Sequence, residues 1–191
     1  MKAVGIFGGS FDPIHIGHLI TSNEVLEKRN LEKIIFVPCH ISPHKKGRIP
    51  ADNFHRLEMV NIAIEQYPYF ESSDFEIRKG KISYTYDTLI EMRKKYKNLE
   101  LIIGFDNMLV FDKWYKPDEI CKVAKIVVMK RKVDLIPPKH NKYFDSAKML
   151  ETTLVDISST EIRDRVRKGL SIDNLVTNNV KEYIFRNKLY I

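Results

Sequence analysis

Cysteine is nearly missing: Cys39 and Cys121 are the only two in 191 residues. Two thiols cannot build a disulfide framework, so reduced side chains in a cytoplasmic location are the expectation. No stretch approaches eighteen consecutive apolar residues, which excludes a membrane-spanning helix. The apolar run within MKAVGIFGGSFD is too short for a secretion signal, and Asp12 interrupts it. Glycine and proline number eight each, too few for a fibrous or linker-like chain. Behind Gly8-Gly9 there is no Gly-Lys-Ser/Thr and no GxGxxG spacing, so neither standard phosphate loop is present.

What is there describes a folded enzyme-sized unit. The chain is 43% hydrophobic and 30% charged, enough to bury a core, and residues 1–191 read as one domain. Thirty-two Lys and Arg against 25 Asp and Glu give +7, which favours anionic partners. The cations are spread along the chain without an aromatic-basic recognition string, so small phosphorylated molecules are expected in preference to nucleic acid or a membrane.

Apolar runs alternate with amphipathic segments. Strands are predicted over 2–7, 33–37, 70–77, 99–103, 125–129 and 153–155, and helices over 18–28, 52–66, 87–96, 160–168 and 179–187. Most of the strands are continuous apolar runs, the pattern of a parallel sheet covered on both faces. The expectation is an α/β fold, a Rossmann-like doubly wound parallel sheet with a small helical C-terminal part. Ligands in such sheets bind beyond the carboxyl ends of the strands. Gly8-Gly9-Ser10, Pro38 to Lys45 and Gly104-Phe105-Asp106 all follow strand ends. The basic stretch Lys130 to Lys142, with Pro137-Pro138, reads as a surface loop.

The first strand-to-helix turn, GGSFDPIHIGHL, suits a polyphosphate. Its glycines let backbone N–H groups approach an anion, and a helix N-terminus follows. His15 and His18 are three apart, so both rings can face the same way, and a bound anion would favour their charged forms. A metal site at His15, His18 and Asp12, or at Cys39, His40 and His44, lacks ordinary ligand spacing. Near the C-terminus, Ser158 and Glu161 match a capping box, and a helix starting there could offer its free N–H groups, Ser158, Ser159 and Arg163 to phosphate oxygens.

GSFDPIHIGH resembles the signature of the nucleotidyltransferase superfamily, with its HxGH box at His15-Ile16-Gly17-His18, and ISSTEIR at 157–163 is similar to the box that closes that active site. The first box also occurs in class I aminoacyl-tRNA synthetases, but the lysine-rich loop and the length of a synthetase are missing. Pro43-His44-Lys45, Ser83-Tyr84-Thr85 with Asp87-Thr88-Leu89, Gly104-Phe105-Asp106 followed by Trp114, and the C-terminal Tyr183-Ile184 and Leu189-Tyr190 resemble the bacterial nicotinate-nucleotide adenylyltransferase family. Phe105, where that family usually has a small residue, and Cys39 depart from the pattern.

The resemblance implies adenylyl transfer from ATP to nicotinate mononucleotide, with nicotinamide mononucleotide or phosphopantetheine as the alternative acceptor. It implies catalytic roles for His15, His18 and Arg163. ATP would lie against Gly8, Gly9, Ser10, Phe11, His18, Gly104, Asp106, Ile157, Ser158 and Ser159. Nicotinate mononucleotide would lie against Ser10, His44, Lys45, Tyr84, Thr85, Trp114 and Tyr115. The flat face of Trp114 suits stacking on a pyridine ring. Mg²⁺ would arrive on ATP, held by its phosphates, and the partners would be the two small-molecule substrates.

Overall fold

A computed structural model describes residues 1–41, 50–130 and 142–191. Six parallel strands form one sheet in the order β3-β2-β1-β4-β5-β6. They are β1 Val4–Gly9, β2 Lys33–Pro38, β3 Phe70–Ser72, β4 Leu99–Gly104, β5 Lys125–Lys130 and β6 Lys148–Glu151. The helices, among the described residues, are α1 Ile16–Lys28, α2 Asn53–Ile64, α3 Phe75–Lys79, α4 Thr85–Arg93, α5 Phe105–Leu109, α6 Pro117–Val123, α7 Tyr143–Ser146, α8 Ser159–Arg167 and α9 Asn178–Arg186.

Successive strand residues point to opposite faces, so each strand feeds two cores. Ile34 and Phe36 of β2, Phe7 of β1 and Ile102 of β4 join α1, α2, α8 and α9 on one face. Val4, Ile6, Ile35, Val37, Leu101 and Val128 join α4, α5, α6 and α7 on the other. The sheet is therefore doubly wound, as expected, and strand order reverses between β1 and β4. At that point chain segments leave in opposite directions and a crevice opens over the strand ends. Arg29, the C-cap of α1, forks onto buried Glu100 of β4 at 2.7 and 2.9 Å and fixes the helix across the sheet.

Three sequence expectations are corrected. The predicted strand over 70–77 ends at Ser72, and Phe75 to Lys79 is the helix α3, closed by Gly80 at φ 63°. The last strand lies at Lys148–Glu151 and not at 153–155. It is an edge strand with only half-buried apolar residues, so it has little apolar signature. Helix α6 was not expected, although Pro117 at its first position and acidic Asp118 and Glu119 in its first turn are ordinary start signals. Asp52 caps α2 by accepting from Phe54 N at 2.8 Å, as its sequence suggests.

Candidate active site

The turn from Ser10 to His15 leaves β1 at the crevice and delivers the chain into α1. His15 is the N-cap of α1, and the two imidazoles of the HxGH box stack with centroids 3.6 Å apart. The His15 backbone N–H donates to His18 Nδ1 at 3.2 Å. That bond occupies the Nδ1 lone pair and places the His18 ring hydrogen on Nε2, so His18 presents one directed donor. His15 has its pKa lowered to about 4 because burial penalises the charged ring, and among the described residues its Nδ1 has no hydrogen-bond partner. Two charges 3.6 Å apart would repel by roughly 4–5 kcal/mol at an effective dielectric of about 20. Without a bound anion, burial therefore favours the neutral form of His15.

At Gly17 a Cβ would lie 3.1 Å from His15 Nδ1 and 3.3 Å from Val155 in the segment after β6, so a side chain there crowds the histidine ring. Glu24, two turns further along α1, accepts from Thr153 N at 3.1 Å and ties that same segment down.

Helix α8 is fastened underneath the turn. Ser158 caps it by accepting from Glu161 N at 3.1 Å, as the capping-box reading expects. Ser159 Oγ donates to the Pro13 carbonyl at 2.9 Å, and Arg163 donates to the Asp12 carbonyl at 2.6 Å and to Thr160 Oγ1. Arg163 is buried and also lies 3.6 Å from the Asp12 carboxylate. Asp12 in turn accepts from Ala51 N and from the Tyr190 hydroxyl at 2.8 Å. Burial, then the Asp12 charge, raises the Tyr190 pKa. The ISSTEIR box and the first turn are brought together, but in this state Ser159 and Arg163 spend these bonds on the turn itself. Ile157 packs half-buried against the core, and Ser158 is exposed. Phe11 is 2% exposed, with its ring 5.2 Å from that of His18, so its side chain supports the histidines from below. Its φ of 45° is uncommon for a bulky residue and is held by that packing.

Two cavities flank the strand ends. The larger, about 220 Å³, is lined by Gly8, Gly9, Ser10, Cys39, Tyr84, Thr85, Trp114 and Tyr115 among others. No atom lies within 4 Å of a Cβ built on Gly8, so this glycine leaves open space in the cleft and not in the core. Trp114 is half-buried, 5.2 Å from the Phe111 ring. Tyr84 and Tyr115 lie 4.6 Å apart, with the Lys116 ammonium 5.1 Å from the Tyr115 ring. The second cavity is lined by Thr21, Gly104, Phe105, Asp106, Met129, Thr152, Thr153 and Val155. The residues expected around the pyridine and those expected around the adenylate's Gly104 and Asp106 therefore fall into separate cavities. His44 and Lys45 lie outside the described residues.

Sequence reasoning missed Arg56. This wholly buried guanidinium donates to the carbonyls of Ser10 at 2.7 Å, Ala51 at 3.0 Å and His40 at 3.3 Å, and to Asn53 Oδ1. It holds the turn after β1 against the segment after β2. Nothing in RLEMV separates it from a surface arginine; only the tertiary fold does.

A parallel sheet with a crevice over β1 and β4, a glycine turn and a histidine pair at a helix start define a nucleotide-handling α/β protein. Residues 6–165 match the cytidylyltransferase-like family model, which places the chain in that class of nucleotidyltransferases. A nicotinate-nucleotide adenylyltransferase of Bacillus subtilis is 38% identical over 100% of this chain and 99% of its own. A protein of Caldicellulosiruptor bescii, named a probable nicotinate-nucleotide adenylyltransferase, is 42% identical over 98% of both chains. The chain belongs to the nicotinate-nucleotide adenylyltransferase family. The fold is that of the Plasmodium falciparum nicotinic acid mononucleotide adenylyltransferase complexed with NaAD, which superposes with a TM-score of 0.82 at 20% identity, over 100% of this chain and 98% of that one. No helix among the described residues is long and apolar enough to cross a membrane.

Proposed function

We propose that the protein transfers the adenylyl group of ATP to nicotinate mononucleotide, forming nicotinic acid adenine dinucleotide and releasing pyrophosphate. The observation that carries this reading is the stacked His15–His18 pair at the start of α1, carried by the turn that follows Gly8, Gly9 and Ser10 of the Trp114-lined cavity. The phosphate oxygen of the mononucleotide attacks the α-phosphorus, the bond to the bridging oxygen of pyrophosphate breaks, and the displaced oxygen leaves as an anion. The nucleophile is already ionised, so no side-chain base is needed. Catalysis then rests on alignment and charge stabilisation.

In this reading His18 Nε2–H donates to the α-phosphate, and His15 faces the polyphosphate. The amides of Gly8, Gly9 and Ser10 line its path, and Arg163 supplies charge from beneath the turn. Asp106 serves the ribose of ATP. Trp114 stacks on the pyridine, while backbone N–H groups of Tyr84, Thr85 and Tyr115 take the nicotinate carboxylate, with His44 and Lys45 at the mononucleotide phosphate. Mg²⁺ enters as part of the substrate, coordinated by ATP oxygens.

Pyrophosphate release is measured with ATP and Mg²⁺ and, in turn, nicotinate mononucleotide, nicotinamide mononucleotide, phosphopantetheine or no acceptor. The expected outcome is release with the first and little with the others. Equal or greater release with phosphopantetheine overturns the assignment of acceptor.

A further inference from the structure

Glu76 is the only buried residue of α3, and it reaches the wall of the larger cavity. A carboxyl group is an odd lining for a space that is to hold another carboxylate, so its bonds matter. Thr88 Oγ1, in the first turns of α4, donates to Glu76 Oε1 at 2.5 Å. The Ser83 hydroxyl, a neighbour that favours the charged form of the same carboxyl group, accepts from His40 N at 2.9 Å. Ser83 N also donates to the Ile41 carbonyl at 3.1 Å. The two hydroxyls beside the Glu76 carboxyl therefore bracket Tyr84 and Thr85, one on each side.

The bracketing has a mechanical consequence. Tyr84 is the N-cap of α4 and makes no side-chain capping bond. The turn that aims the first N–H groups of α4 at the cavity has no cap of its own, and Glu76 ties it from behind. A hydroxyl bond to a carboxyl oxygen holds both partners in a directed geometry. Burial pushes the Glu76 carboxyl upward, towards its neutral form, which lessens repulsion of a bound carboxylate. The charged neighbours are Lys79, which pairs with Asp87, and Asp87 itself.

We propose that Glu76 is a positioning residue for the pyridine nucleotide: through Ser83 and Thr88 it fixes the Tyr84–Thr85 turn whose backbone N–H groups recognise the acceptor's carboxylate. The proposal rests on the acceptor being nicotinate mononucleotide, and two readouts keep the two ideas apart. In steady-state kinetics Glu76→Ala raises KM for nicotinate mononucleotide about tenfold or more while KM for ATP stays within about twofold. Glu76→Gln retains an oxygen acceptor and recovers most of that loss. Thr88→Val removes one bond and shifts the same constant about threefold, which decides the matter should Glu76→Ala fail to fold. Independently of any substrate, amide hydrogen exchange over 83–88 quickens about tenfold in Glu76→Ala but not in Glu76→Gln.

Equal changes in both KM values, or unchanged exchange over 83–88, overturn the proposal. If the unaltered protein turns over no nicotinate mononucleotide, the functional reading fails, and the exchange measurement alone decides whether Glu76 anchors the turn.

Discussion

The two sides of the crevice are built on opposite plans. On the phosphate side, Asp12, Arg163, Ser159, Tyr190 and Arg56 are bonded to one another or to the turn, mostly out of contact with solvent. Few of these side chains have bonds to spare, and what they present is a fixed turn with His18 aimed from it. On the acceptor side, Trp114, Tyr84 and Tyr115 stand half-buried or exposed around open space, with one carboxyl behind them. The contrast separates two tasks. Transfer of a phosphoryl group needs donors that do not move as charge redistributes, and a densely bonded frame supplies that. Choice of acceptor needs shape and a few directed N–H groups, which rings and a helix start supply at lower structural cost.

If the phosphate side is a frame, its deepest member should matter most for folding. Arg56→Met leaves the Ser10, Ala51 and His40 carbonyls without their donor, and chemical denaturation should show a loss of about 4 kcal/mol. A loss below about 1 kcal/mol would show that the turn holds itself. His18→Ala should lower kcat by at least about a hundredfold, or roughly 3 kcal/mol, while the fold stays intact by circular dichroism. Near-normal turnover would remove His18 from the chemistry.

The pH dependence of stability tests the neutral ring directly. Unfolded His15 takes up a proton as pH falls through 6.5, whereas the folded ring, at about 4, does not. Stability should therefore drop between those two values, by about 2 to 3 kcal/mol, and level off below them; His15→Asn should flatten the slope. On the other side of the comparison, Trp114→Ala should raise KM for the pyridine mononucleotide about tenfold (near 1.4 kcal/mol) and leave that for ATP nearly unchanged. Equal shifts would make the ring a structural member and erase the contrast.

Much of the fold was legible because β1, β2, β4 and β5 are buried on both faces over most of their length and read as apolar runs, with Glu100 a buried exception in β4. The weakly marked elements were misplaced where burial weakens: β6 at the sheet edge, and α3, whose FEI alternation imitates a strand until Gly80 ends it. The site divides in the same way. Of the residues proposed to meet ligand, His15, His18 and Gly8 stand in one short string, and Trp114 is the only tryptophan. Arg56 and Glu76 have no such mark, since each acquires its role from segments far away in the chain: Ser10 and His40 for one, Ser83 and Thr88 for the other. Residues that serve a ligand directly leave a local pattern; those that serve it through the backbone leave none.

Arg56 carries one consequence further. Its guanidinium is satisfied by neutral carbonyl and amide oxygens, and among the described residues no carboxylate is bonded to it. It is also sealed from water, where dissolved ions screen it far less than they screen a surface lysine. The turn that would receive a triphosphate thus sits on a permanent positive potential that neither side-chain motion nor added salt can readily withdraw.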